Sequence, residues 1–135
     1  MILDTNFVGD LATQDPDARA LAGEFEGEPV LMRLPTSVIW EVFYGLANDT
    51  TQDGVPVELR RRYEHLINTR TVEDVDEHIA RRAGTLRGKH SASDRLRNLD
   101  GADSFVAAHG LALGEPVISN DGDFQDVDGL DVVTY

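Results

Sequence analysis

Apolar residues along this chain follow two spacings: short continuous runs, and runs that return every three or four positions. Met1–Leu3 is a continuous run and reads as a short strand; Asp4-Thr5-Asn6 then opens a helical pattern through Phe7, Val8 and Leu11. Asp15-Pro16 is the next start, an N-cap followed by proline at the first helical position, and Ala18, Leu21, Ala22 and Phe25 recur at helical spacing until Gly27. Pro29 to Leu34 reads as a second strand around Val30, Leu31 and Met32. Pro35-Thr36-Ser37 opens a strongly apolar helix bearing Val38, Ile39, Val42, Phe43 and Leu46.

A polar loop, Asn48 to Gly54, separates this part from a helix over Val55 to Asn68, with Leu59, Tyr63, Leu66 and Ile67 inward and Arg60, Arg61 and Arg62 outward. Thr71, Val72 and Val75 form a third short strand, and Asp76 caps a helix through Ile79, Ala83 and Leu86. Arg87 to Asn98 is the one clearly basic segment and reads as a loop or a frayed helix end. The following helix carries Asp103 in its first turn and a buried stripe of Ala102, Phe105, Val106, His109 and Leu113. Gly114-Glu115-Pro116 stops it, Val117 and Ile118 make a brief strand, and Ser119-Asn120-Asp121-Gly122-Asp123 forms a polar tip before a last strand, Leu130 to Tyr135. Strands alternating with helices predict an α/β fold of three layers (α/β/α) with a mainly parallel central sheet, in a single domain spanning residues 1–135.

Composition narrows the chemistry. There are no cysteines, which excludes disulfides and thiolate metal sites. No apolar run is long enough to span a bilayer, and Met1–Leu3 leads straight into Asp4 without room for a signal peptide, so a cytoplasmic protein with no membrane partner is expected. The net charge is −13, from 25 acidic residues against eleven arginines and the single Lys89. An acidic, lysine-poor surface with an ordinary apolar fraction points to adaptation to concentrated salt. At ~1 M salt the Debye length falls to ~3 Å, so net acidity does not bar a nucleic-acid substrate.

Asp4 stands where a strand ends, Asp103 in the first turn of a helix, and Asp121 in the tip after another strand. In open α/β folds such positions face the ligand crevice. Glu41 lies within the apolar helix, on a face shared with Ser37, Val38 and Gly45. Each acid alone has an ordinary explanation, as a helix cap, a solvent-facing side chain or a turn residue. Together, four carboxylates in one pocket repel unless a cation sits among them. Oxygen ligands without cysteine or paired histidines favour Mg²⁺ or Mn²⁺ over zinc.

Order, spacing and apolar context then carry a family likeness. MILDTN at the start, SVIWEVFYG at Ser37–Gly45, ADSFVAAHGLALG at Ala102–Gly114 and VISNDGDF at Val117–Phe124 resemble the PIN-domain ribonucleases, and within them the VapC-like toxins of toxin–antitoxin pairs. The resemblance places the family's first three acidic residues on Asp4, Glu41 and Asp103. Reading Ser119-Asn120-Asp121 as its Thr/Ser-x-Asp pattern puts the fourth on Asp121; an Asn-x-x-Asp-Phe reading puts it on Asp123. It implies a catalytic set of Asp4, Glu41, Asp103 and Asp121, a metal held by Asp4, Asp103 and Asp121, and Asn6 and Ser119 as polar helpers. The implied activity is metal-dependent hydrolysis of RNA phosphodiester bonds (in tRNA, rRNA or mRNA), leaving 5′-phosphate and 3′-hydroxyl ends. A cognate antitoxin and a homodimer are implied as partners. The middle of the chain, Asp49 to Asn98, matches only in general character.

Other signals are weaker. Asp121 to Asp126 invites a calcium-loop reading that fails, because the sixth position is Asp126 rather than glycine and the twelfth is Val132 rather than glutamate. His65, His78, His90 and His109 form no i, i+4 pair, and no P-loop or dinucleotide fingerprint is present. Arg87, Lys89, Arg95 and Arg97 form a local basic strip just before Asp103, where an RNA backbone is expected to rest. Two other functions are compatible with these residues: a PIN-like RNA- or protein-binding module with little turnover, and an RNA-processing nuclease without a toxin role.

Overall fold

The computed structural model describes residues 1–49 and 54–135. Of the polar loop expected from Asn48 to Gly54, residues 50–53 lie outside the described residues. Five short strands form one sheet in the order β3-β2-β1-β4-β5, with β1 at Ile2–Leu3, β2 at Arg33–Pro35, β3 at Thr71–Glu73, β4 at Val117–Ile118 and β5 at Val132–Val133. Every neighbouring pair is parallel, with Ile2 opposite Arg33 on one side and Val117 on the other. Parallel pairing needs crossover connections, which α1 (Thr5–Thr13), α2 (Pro16–Glu24), α3 (Thr36–Ala47), α4 (Val57–Asn68), α5 (Glu77–Ser91) and α6 (Gly101–Leu113) supply from β1 to β4, and a 3-10 turn at Gly122–Asp126 from β4 to β5. Helix α1 contacts α2 and α4, while α5 packs along α6. Right-handed crossovers set these two groups on opposite faces of the sheet. The expected α/β fold with a parallel central sheet is thus the one observed.

Strands covered on both faces are apolar throughout. Ile2, Leu3, Leu34, Val117 and Ile118 are accordingly buried, and with Phe7, Val8, Val38, Val106 and Phe124 they make the main core. A smaller cluster of Ile79, Ala83 and Ala108 joins α5 to α6.

Three sequence expectations shift. The second strand begins at Arg33 rather than Pro29, and Val30 and Leu31 are exposed. Pairing decides this. Arg33 N donates to Met1 O at 2.8 Å, and the Arg33 guanidinium forms ion pairs with Glu115 at 2.8 Å and with Glu73. The basic segment is not a loop from its start, because α5 continues to Ser91 and carries Arg87 and Lys89; only residues 92–100 are irregular. The buried His90 explains the extension, its Nδ1 lying 2.9 Å from Arg97 O and tying the loop back onto the helix. On α6, Leu113 is exposed, and burial instead covers Val106 to Gly110 without interruption.

That burial fixes the height of α6, which packs on β1, β2, β4 and α3. A β-carbon added at Gly110 would fall 2.6 Å from Leu130 Cδ1 and 3.1 Å from both Glu115 O and Val117 Cγ2. Glycine there lets the helix approach β4, and this approach sets where Asp103 ends up. Gly110→Ala is therefore expected to destabilise the fold by about 1–3 kcal/mol in urea denaturation despite alanine's better helix propensity. Gly84→Ala, in open space on the exposed side of α5, is expected to stabilise it by about 0.5–1 kcal/mol. Equal effects of the two substitutions would refute the close-packing explanation.

Candidate metal centre

Strand β1 lies between β2 and β4, and the chain leaves it first toward β2 and returns later to β4. The carboxyl ends of β1 and β4 therefore flank the switch point of the sheet, where open α/β folds form their crevice. Asp4 leaves β1 there and caps α1; it is 1 % exposed. Its Oδ1 accepts from Thr5 N at 2.7 Å, and its Oδ2 accepts from Ser119 Oγ at 2.7 Å. Ser119, buried at the end of β4, accepts in turn from Asp121 N at 2.9 Å. One hydroxyl thus ties the residue after β1 to the tip after β4.

Asp121 Oδ1 accepts from Asp123 N at 2.9 Å and starts the 3-10 turn Gly122–Asp126. Asn120 fixes the tip from the other side: its Nδ2 donates to Tyr135 O and its Oδ1 accepts from Tyr135 N, both at 2.9 Å. Asp103 reaches the same place from α6, whose N-cap Asp100 accepts from Asp103 N at 3.1 Å. Among the described residues, Asp103, Asp121 and Asp123 form a group whose ligand oxygens lie within 4.8 Å of one another.

Asp4 and Glu41 stand beside this triad, and the electrostatics record how close. Burial pushes the Asp103 carboxyl up to about 8, with the negative charges of Asp4, Asp100, Asp121 and Glu41 adding to the shift. Burial likewise pushes Asp4 up to about 6; Ser119 and Thr5 pull it down by donating hydrogen bonds, while Glu41 and Asp121 push it further up. Asp123 is raised by burial and by Asp121, against an opposing pull from Arg97. Glu41 is tied in by Thr5, whose Oγ1 donates to Oε2. The structure therefore brings together Asp4, Glu41, Asp103, Asp121, Asp123 and Ser119. It does not choose between Asp121 and Asp123, since both join the triad.

Asn6 is exposed in the first turn of α1. The basic candidates divide. Arg97 spans the tip, donating from Nη1 to Gly122 O, with its Nε 3.9 Å from Asp126; the Arg87 guanidinium lies over Gly101 at the start of α6. Lys89 and Arg95 are exposed and form no ion pair among the described residues. The sequence reading missed Thr5, whose backbone and side chain hold Asp4 and Glu41 at once. Its signal was a hydroxyl residue directly after a strand-end aspartate.

The donor set suits a hard divalent cation. It consists of carboxylates brought together from separate elements, and burial first, then neighbouring negative charge, displaces the proton affinities of Asp103, Asp4 and Asp123 upward. Arg97, the guanidinium at the tip, engages a carbonyl and Asp126 rather than the triad as a whole.

The sequence matches the PIN domain family over residues 1–130, and the chain belongs to that family. No curated protein matches it by sequence. Among solved structures it is similar in fold to a chain of VapBC2 from Rickettsia felis, solved on a promoter DNA fragment, with TM-score 0.80 at 16 % identity over 99 % of this chain and 97 % of that one. It is also similar to a chain of DNA-bound VapBC from Salmonella typhimurium, with TM-score 0.77 at 20 % identity over 98 % and 96 %. A third match is VapBC-5 from Mycobacterium tuberculosis, a member of the VapBC family of toxin–antitoxin systems, with TM-score 0.69 at 22 % identity over 99 % and 97 %.

A pH dependence follows from the raised carboxyls. The folded chain keeps protons on Asp103 and Asp4 that the unfolded chain releases near 3.8, so it binds more protons between that pH and about 8, and its stability falls as pH rises through this window. The melting temperature of EDTA-treated protein is expected to drop between pH 5 and pH 8. Asp103→Asn should flatten that slope, and Mn²⁺ should raise the melting temperature by about 5 °C or more at pH 8. A melting temperature that rises with pH in EDTA would contradict the site's electrostatics.

Proposed function

We propose that this chain is a VapC-type toxin, an endoribonuclease dependent on Mg²⁺ or Mn²⁺, acting as one PIN-like domain over residues 1–135. The observation that supports it is the meeting of Asp103, Asp121 and Asp123 beside Asp4 at the switch point of a PIN-family sheet. Asp103, Asp121 and Asp4 would hold the cation, with Asp123 able to replace or join Asp121. Such a cation, when bound, supplies Lewis acidity toward phosphate oxygens and water.

The chain's own groups have distinct tasks. Ser119 and Thr5 donate to Asp4 and keep both its oxygens aimed. Thr5 also anchors Glu41 through Oε2, which leaves Oε1 to accept a proton from an attacking water. Attack on phosphorus breaks the bond to the 3′ oxygen, which takes a proton from solvent, giving a 5′-phosphate and a 3′-hydroxyl. Arg87 and Arg97 would hold backbone phosphates on either side, with Lys89 and Arg95 further out. The solved chains of similar fold come from VapBC complexes, which supports a cognate antitoxin as partner. A homodimer, a cytoplasmic location and a salt-adapted source complete the proposal. Among the described residues, no helix is long and apolar enough to cross a membrane.

The test is cleavage of a pool of structured tRNA, rRNA and mRNA with Mn²⁺ in high salt, with EDTA as control. Wild-type chain is expected to cut only with the ion. Asp103→Asn should lose at least about a hundredfold while remaining folded. Undiminished cutting by that variant would remove the site assignment, and tight RNA binding without any cutting would favour the binding-module reading. Comparing Asp121→Asn with Asp123→Asn shows which tip carboxylate matters, the larger loss marking the ligand.

A further inference from the structure

A cleft of about 380 Å³ opens beside the carboxylates, lined by Ser37, Trp40, Val75, Gly101, Ala102 and Phe105. This lies within the ~300–1,000 Å³ range of small-ligand sites. It shares two helices with the acidic cluster: Trp40 precedes Glu41 on α3, and Ala102 precedes Asp103 on α6. Trp40 is 63 % exposed and stacks on Tyr44, with ring centroids 5.5 Å apart and planes 17° from parallel. The aromatic wall is thus braced in place while remaining open to solvent.

Two observations say what such a cleft is built to hold. Ser37 is 9 % exposed, and its Oγ is buried without a hydrogen-bond partner, although the neighbouring Thr36 Oγ1 is satisfied by Val75 N at 3.1 Å. An unsatisfied buried hydroxyl is costly, and because this Oγ has no accessible surface a ligand reaches it only after the side chain turns about χ1 toward the wall that Ser37 lines. At the rim, the Arg87 guanidinium lies over Gly101, where a β-carbon would fall 3.2 Å from its Nη1. An aromatic face, one polar atom at an apolar wall and a cation at the edge match a nucleotide: base, base edge and phosphate.

We propose that this cleft receives a single nucleobase of the RNA strand next to the scissile phosphate, stacked against Trp40, with Arg87 holding its phosphate and Ser37 turning its Oγ outward to hydrogen-bond the base edge. The assignment rests on the nuclease reading above and adds a base-recognition subsite to it. It makes the enzyme selective for unpaired nucleotides, because a base within a duplex cannot enter.

Trp40 is the only tryptophan of the chain, so its emission reports on the cleft directly. The experiment titrates full-length Asp103→Asn chain with a single-stranded oligoribonucleotide and with an abasic strand of equal length, in EDTA. Saturable quenching by the first and not by the second is expected. Arg87→Gln should weaken binding about tenfold, and Ser37→Ala should change the ranking of homopolymers rather than the affinity for all of them. In wild-type cleavage assays Trp40→Ala should raise KM about tenfold, and Trp40→Phe should restore it. Equal emission changes on both strands would overturn the proposal. So would emission that follows chain concentration and ignores RNA, which assigns the cleft to a second copy, or emission that responds only to added antitoxin. Cleavage without quenching defeats the subsite and leaves the nuclease standing; quenching without cleavage in Mn²⁺ does the reverse.

Discussion

Like charges held together at the carboxyl ends of β1 and β4 are the constraint on which this structure turns. Two carboxylates about 5 Å apart repel by roughly 3 kcal/mol at an effective dielectric near 20. A domain's whole stability is about 5–15 kcal/mol. Gathering Asp103, Asp121 and Asp123 with Asp4 alongside therefore consumes much of that margin unless protons or a cation neutralise them. Three helical starts soften the cost. Asp4 caps α1 and Asp121 caps the 3-10 turn, each accepting from a backbone N–H, while Asp4 and Asp103 also lie at the positive ends of the α1 and α6 dipoles. Backbone donors hold Asp4 and Asp121 in position without cancelling their charge.

The opposite end of the sheet shows what a purely structural use of charge looks like here. Arg33 on β2 pairs with Glu73 on β3 and with Glu115 just before β4, and Glu115 also accepts from the Met1 amine at 2.6 Å. Each carboxylate there has a cation, and burial's upward push on Glu115 is outweighed by hydrogen bonds from the amine and Arg33, leaving its pKa lowered. At the switch point the acids face one another, and Asp4, Asp103 and Asp123 shift upward. The same sheet satisfies its acids at one end and crowds them at the other. Carboxyls raised by burial and by one another at one end of the sheet mark that end as the candidate site.

Legibility from sequence followed how local each determinant is. Asp15-Pro16, Asp76 and Gly114 are local caps and stops, and the helices begin and end at them as expected. The strand at Arg33–Pro35 was illegible because its location is set by partners: β1 and β3 choose Arg33, while the more apolar Val30 and Leu31 stay exposed. The end of α5 was missed because RGKHS offers no apolar stripe; one buried polar residue, His90, carries the helix onward. At the site, order along the chain pointed to Asp4, Glu41 and Asp103, and the fold brings Asp4 and Glu41 close enough to raise Asp103. The choice within Asp121-Gly122-Asp123 depends on how a tight turn aims two side chains, and composition does not encode that. Thr5 escaped notice for a similar reason, because its double role needs both neighbours in three dimensions.

Net charge and local charge separate at this crevice. The chain as a whole carries −13, a field that would repel a polyanion in dilute salt. Yet two guanidiniums lie over residues next to the cluster along the chain, and both of those residues are glycine. A β-carbon would approach Arg97 Nη1 to 2.6 Å at Gly122 and Arg87 Nη1 to 3.2 Å at Gly101. Gly122 lies between Asp121 and Asp123, and Gly101 lies two residues before Asp103, so each missing side chain makes room for a cation beside a carboxylate. When salt shortens the Debye length to a few ångströms, only charges in near contact with a ligand act on it. An RNA phosphate at this crevice would then feel Arg87 and Arg97 far more than the surrounding acidic surface. On the proposed reading, the acidic exterior keeps the protein soluble, and two glycines keep positive charge where the strand has to lie.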